Sequence, residues 1–201
     1  PSGLGAFRNT PDTDPSVAAN RDAAAAALAR ARDSRLGVDT IAAARLATPD
    51  ALDAVLEDAR SAGQAWGTRP AEERAAILHR AGEVLESRRA DFLEVMASEA
   101  GKTIDQADPE VSEAIDFAHY YAEQALRLDS VDGATFVPSA LALVTPPWNF
   151  PVAIPAGGAL AALAAGSAVL LKPAALTERC GAVIAECLWE AGVPREVLRL
   201  I

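Results

Sequence analysis

Basic residues are scarce in this 201-residue chain: 18 Lys and Arg stand against 28 Asp and Glu, a formal net charge of -10. Nucleic acids and anionic membranes are gripped through clustered Lys and Arg, so this balance argues against both as partners. Cysteine is also rare. Cys180 and Cys187 fall about two turns apart on a segment that reads as helix, too far for a disulfide. No histidine stands near them in sequence, so no metal-ligand set forms, and no metal is expected. Such usage fits a reducing, cytoplasmic setting. His79 and His119 sit on helical segments without a matching motif, and structural roles are expected of them. The usual GxGxxG phosphate loop is missing. Pro1 is preceded by no Met and followed by no basic-then-apolar leader, so the chain is expected to be a portion of something longer.

Charge disappears altogether from Ser139 to Leu171, a run long enough to cross a bilayer. Pro146, Pro147, Pro151 and Pro155, with Gly157, Gly158 and Gly166, would break any continuous helix through it. The run therefore reads as a buried strand–helix–strand unit, with no membrane span.

What is present is apolar and helix-favouring, with 51% hydrophobic residues, enough for a sizeable core. Residues 1–60 read as an arm rich in turn formers followed by an Ala-rich helical segment. Residues 61–137 are strongly helical. Pro70 suits a first turn, and Ile77, Leu78, Ala81, Val84 and Leu85 repeat at helical spacing. Phe92, Leu93 and Met96 continue the pattern to Gly101, and a further helix is expected from about Pro109 to Ala125. Residues 138–201 change character. Buried strands are expected at Leu141–Val144 and Ala168–Leu171, and a third strand starts at Val197–Ile201, separated by helices at Pro155–Ala165 and Thr177–Ala191. Strands alternating with helices imply an α/β fold with a parallel sheet, whose ligands bind outside the carboxyl ends of the strands. The Thr145–Phe150 turn and the Lys172–Ala175 turn then share one rim.

Thr145-Pro-Pro-Trp-Asn-Phe-Pro151 matches the PWNFP signature of the aldehyde dehydrogenase superfamily. Ala161-Ala-Leu-Ala-Ala-Gly166, Val169-Leu-Leu-Lys-Pro-Ala174 and Glu190-Ala-Gly-Val-Pro194 follow at the family's distances. Upstream, Glu72-Glu-Arg74, Glu99-Ala-Gly-Lys102 and Glu110-Val111 resemble its N-terminal helices. Phe7-Arg-Asn-Thr-Pro-Asp-Thr-Asp14, with Glu113-Ala-Ile-Asp-Phe117, is similar to the L-glutamate γ-semialdehyde (1-pyrroline-5-carboxylate) dehydrogenases. Among those it looks closest to the dehydrogenase half of bifunctional proline-utilisation flavoenzymes.

The resemblance implies an N-terminal helical region leading into the first βαβ units of an incomplete Rossmann-like NAD-binding domain. It implies a small aldehyde as substrate, NAD as cofactor, and a homo-oligomer in the intact protein, with a proline dehydrogenase domain upstream. By resemblance, the side-chain amide of Asn149 donates to the oxygen that gains negative charge when a cysteine attacks the aldehyde. Read alone, Asn149 fits a cap on the following turn better; the surrounding motif reverses that reading. Thr145, Pro146, Pro147 and Trp148 are expected to line the nicotinamide side. Lys172, with Ala174 and Ala175, is expected at the adenosine ribose. Glu113 and Phe150 are expected to meet the substrate, although either could be ordinary packing or a solvated face. Where the family commonly has Glu after Lys-Pro-Ala, this chain has Ala175, which leaves NADP open as well as NAD. The stretch from Asp129 to Pro138 is shorter than the family's subunit-contact hairpin. The family's glycine-bearing loop, general-base Glu and nucleophilic Cys are expected beyond Ile201, so the 201 residues alone are expected to be inactive. A dehydrogenase for another aldehyde and a non-catalytic remnant stay open as alternatives.

Overall fold

A computed structural model describes residues 7–201; residues 1–6 of the expected arm lie outside them. After an extended arm, the chain forms α1 (Ala18–Ala31), α2 (Val38–Ala44), α3 (Pro49–Gly67), α4 (Ala71–Ser87), α5 (Arg89–Ala100) and α6 (Ile104–Ala125). Then come β1 (Leu141–Val144), α7 (Ala153–Ala164), β2 (Ala168–Leu171), α8 (Glu178–Glu190) and β3 (Leu198–Leu200).

The arm is not loose. Phe7 packs edge-on against Tyr120 at 5.8 Å between ring centroids. Asp116 accepts from the Asn9 side chain and the Thr10 amide, both at 2.6 Å. Asp108 accepts from the Thr13 amide at 2.6 Å and its hydroxyl at 2.7 Å. Asp108 and Asp116 both belong to α6, so the arm is stapled along that helix.

Two boundaries differ from the sequence expectation. The stretch from Pro70 to Gly101 is two helices, not one. It breaks at Arg88, which leaves the α-helical region at φ -101°, ψ 16°. Arg88 there binds Asp91 at 2.9 Å and Glu186 of α8 at 3.2 Å, so a tertiary ion-pair cluster sits at the corner. α6 starts at Ile104 rather than Pro109, and Pro109 sits inside it at the cost of one backbone bond. Gly101 does close α5, at φ 67°, as expected.

The sheet is parallel throughout, in the order β1-β2-β3. Val144 lies beside Leu171, and Leu171 beside Leu200. Thr145, Lys172 and Ile201 therefore emerge along one rim. β2 is fully buried, as its apolar run suggests. β1 was expected to be buried but is only partly so, with Leu143 61% exposed, because it has a strand neighbour on one side only among the described residues. α3 approaches the sheet so closely that a Cβ on Gly63 would lie 1.7 Å from the Ala140 carbonyl oxygen. Trp66, next along α3, is buried and donates its indole N–H to the Leu163 carbonyl at 2.9 Å. α7 and α8 join the strands and pack in turn on the α4–α6 helices. No helix among the described residues is long and apolar enough to cross a membrane.

The two histidines meet between α4 and α6, with Nδ1 of His79 2.8 Å from Nδ1 of His119. Such a bond needs one protonated and one bare nitrogen. Burial, then the adjacent His79, holds the His119 pKa below its usual value, while Glu83 and Asp116 oppose the shift. Glu123 lies 3.3 Å from the other nitrogen of His79. A base with a depressed folded pKa binds its proton more readily when unfolded. Its contribution is therefore complete above about pH 6.5 and is lost as pH falls. Thermal unfolding should show Tm falling from about pH 7 to pH 5, with His119→Gln flattening that slope. Parallel profiles for the two proteins would refute the assignment.

Candidate active site

The turn after β1 carries Trp148, Asn149 and Phe150 into the open, all three exposed. Pro146, Pro147 and Pro151 explain why the chain turns here instead of continuing as strand or helix. Opposite stands the α5–α6 junction, and between them lies a cleft of about 510 Å³. Gly101, Lys102, Gln106 and Pro109 form one wall; Trp148, Asn149 and Phe150 form the other. Among the described residues no hydrogen bond occupies the Asn149 side chain, and the first turn of α7 is capped by another group. Asn149 is therefore not a helix or turn cap. Asn149 itself lines the cleft.

The group that caps α7 is Glu110. One carboxylate oxygen accepts from the Val152 and Ala153 amides at 3.0 and 3.1 Å. The other is bonded to the Lys102 ammonium. Glu110 is only 3% exposed, so a charge is enclosed here and fully partnered. Lys102 also lies over the Phe150 ring, 4.9 Å from its centroid. α8 is treated in the same way. Glu99 accepts from the Arg179 amide at 2.8 Å and the Cys180 amide at 2.9 Å. Helix N-termini after parallel strands are natural phosphate cradles. Here both are already filled by carboxylates, which gives the missing GxGxxG loop a structural counterpart.

A second cleft, of about 600 Å³, opens at the carboxyl ends of β2 and β3. Lys172, Pro173 and Ala175 line it on one side; Ile41, Leu46 and Leu52, from the α2–α3 region, supply an apolar wall. Lys172 follows the buried strand β2, where an enclosed charge would need a polar partner. Burial in fact ends at Leu171. Lys172 is exposed, and among the described residues its Nζ reaches only the Pro173 carbonyl at 3.4 Å. Its amide donates to the Val144 carbonyl at 3.0 Å, which sets Lys172 beside Thr145 on the rim. Thr145, Pro146 and Pro147 line neither cleft; Ala174 is half-buried beside Ala175.

Glu113 does not line the first cleft. It is exposed on the same face of α6 as Gln106 and Pro109, one turn beyond Pro109. The sequence expectation missed Glu99, Lys102 and Glu110 as site-forming residues. A signal for Glu110 was present: it falls within the buried stripe of Ala107, Val111, Ala114 and Ala118, where a lone carboxylate needs a partner.

Residues 33–201 match the model of the aldehyde dehydrogenase family. The chain belongs to that family. Among the relatives of this aldehyde dehydrogenase chain is the bifunctional protein PutA of Escherichia coli K12. It is 43% identical over 163 residues, covering 81% of this chain and 12% of that protein. The 1-pyrroline-5-carboxylate dehydrogenase of Geobacillus kaustophilus is 35% identical, covering 97% of this chain and 45% of that one. A solved 1-pyrroline-5-carboxylate dehydrogenase from Thermus with bound NAD superposes with a TM-score of 0.84 at 28% identity. That match covers 96% of this chain and 44% of the other. The chain thus spans less than half the length of the proteins it matches.

Members of this family attack the aldehyde with a thiolate, and neither thiol of this chain is fit for that. Cys180 and Cys187 are both buried on α8. Burial, then the charge of Glu99, pushes the Cys180 thiol far up. Burial raises Cys187 to about 12 despite the opposing Arg88. Both are packing residues.

Proposed function

We propose that this chain is part of an NAD-dependent aldehyde dehydrogenase that oxidises L-glutamate γ-semialdehyde to L-glutamate in proline breakdown. The observation that carries the reading is the exposed Asn149, which lines a cleft on the same strand rim as Lys172 and has no side-chain hydrogen bond among the described residues. The relatives support the substrate, being 1-pyrroline-5-carboxylate dehydrogenases and PutA proteins. The Thermus neighbour with bound NAD supports the cofactor. By relation to PutA, a proline dehydrogenase domain lies upstream.

The residues of the second cleft suit the adenosine half of a dinucleotide. Ile41, Leu46 and Leu52 offer an apolar face for a purine, and the Lys172 ammonium is a donor for ribose hydroxyls. NAD, when bound, supplies the hydride acceptor. The aldehyde occupies the first cleft, flanked by Phe150. The Asn149 amide donates to its oxygen as negative charge grows there on nucleophilic attack. The nucleophile comes from outside this chain, and the isolated 201 residues form no NADH. Glu113 is assigned to the substrate's ammonium group, an opposite charge one turn along α6 from the cleft wall.

The full-length protein supplied with NAD and the semialdehyde should form NADH, with kcat/KM at least about tenfold above that for short aliphatic aldehydes. Faster turnover of another aldehyde would overturn the substrate. Absence of any NAD-dependent turnover would overturn the activity.

Ala175 offers no carboxylate to repel a 2′-phosphate beside Lys172, so NADP should support measurable turnover. Introducing that repulsion with Ala175→Glu should raise the preference for NAD over NADP by about tenfold in kcat/KM. An unchanged ratio would remove position 175 from cofactor selection.

A further inference from the structure

We infer that Glu99 and Glu110 are positioning residues that set the two halves of the active site independently from one shared junction. The inference rests on the proposed dehydrogenase reading and adds to it two carboxylates that touch neither clefted ligand.

α7 and α8 each begin with bare amide donors, and neither has a side-chain cap from its own N-cap residue, Val152 or Thr177. A local Ser or Asp would satisfy such an end with little desolvation. Instead each end is held by a carboxylate from the α5–α6 junction, remote in sequence. Glu99 stands on the last turn of α5, and Glu110 on the second turn of α6. Between them Gly101 and Lys102 form the wall that faces Asn149. One short stretch of chain therefore builds the cleft wall and grips both rim turns.

The two grips are separate. Glu110 fixes Val152 and Ala153, the exit of the turn that presents Asn149, and holds Lys102 over Phe150. Glu99 fixes Arg179 and Cys180, the exit of the turn that presents Lys172 and Ala175. The Arg179 side chain carries that anchorage further, to Ser98 and to the Ser34 and Leu36 carbonyls at 2.8 to 3.0 Å. Both carboxylates complement the positive end of a helix dipole, and both fill amides that would otherwise draw a phosphate. Losing Glu110 should displace the amide that meets the reacting oxygen. Losing Glu99 should displace the groups that meet the cofactor.

Kinetics of the full-length enzyme test this through Glu110→Gln and Glu99→Gln, which keep size while removing charge. Glu110→Gln should lower kcat by about ten- to a hundredfold and leave KM for NAD nearly unchanged. Glu99→Gln should raise KM for NAD by about tenfold and leave kcat nearly unchanged. If Glu110→Gln fails to fold with Lys102 left unpaired, Lys102→Met/Glu110→Gln removes both charges and the same split is read there. Equal changes in one parameter for both residues would overturn the inference. So would no change in either, or loss of the fold in every variant. A wild-type enzyme without NAD-dependent semialdehyde oxidation would instead defeat the underlying reading, before any variant is made.

Discussion

Asn149→Ala should lower kcat of the full-length enzyme by about a hundred- to a thousandfold, the usual effect of deleting one donor to a developing oxyanion. Binding of NAD should change little, because the cofactor cleft is formed by other residues. Stability should also hold within about 0.5 kcal/mol, since the side chain is exposed and makes no hydrogen bond among the described residues. The competing role, a cap on the turn, predicts the reverse: about 1 kcal/mol of lost stability and near-normal kcat. The α7 end is already capped by Glu110, which is why the catalytic outcome is expected. Asn149→Asp sharpens the test. It keeps the shape but puts a carboxylate against growing negative charge, so its kcat should fall below that of the alanine variant. Steady-state kinetics beside thermal unfolding decide between the roles, and a kcat within about twofold of wild type removes Asn149 from the chemistry.

The sheet half of this molecule was readable from sequence because its signals are local. β2 appears as Ala168–Leu171, the residues its apolar run marks, bounded by Gly166 before and Pro173 after. One of the helix boundaries that were misread involves a distant partner. Nothing near Arg88 breaks helical periodicity; the corner exists because Glu186 on α8 draws that guanidinium across. Asn149 and Lys172 could be singled out through a family motif, yet the motif does not say what holds them. Glu99 and Glu110 meet backbone amides far along the chain, so sequence shows at most a charge in an apolar stripe. The wall opposite Lys172 was obscured for another reason. The Ala-rich α1 has weak apolar contrast, and Ile41 and Leu46 lie on the short α2 and in the loop after it, so nothing in the sequence marks them as facing a cleft.

Asp108→Ala should destabilise the protein by about 3 kcal/mol, at the low end for breaking a buried ion pair. Asp108 is 4% exposed and answers three groups at once: the Thr13 amide, the Thr13 hydroxyl and Arg89 Nη1 at 3.0 Å. Removing it leaves the two Thr13 donors without that partner at a half-buried position. Arg89 keeps Glu86 at 2.7 Å and Ser112, which is why the upper range is not expected. The loss should be local first. With Thr13 unheld, Asp116, the Ser112 hydroxyl that donates to the Pro11 carbonyl at 3.4 Å, and the Phe7–Tyr120 contact still keep the arm on α6. Hydrogen exchange should then accelerate at the Thr13 and Thr10 amides before the core of α6 responds. Asp108→Asn, which retains one acceptor oxygen, should fall between wild type and alanine in both readouts. The arm and the α6 segment are the parts that resemble semialdehyde dehydrogenases most specifically, and in the structure they are one unit joined through Asp108 and Asp116. A stability change under about 1 kcal/mol, with the arm amides still protected, would show that the arm is held by something other than this aspartate.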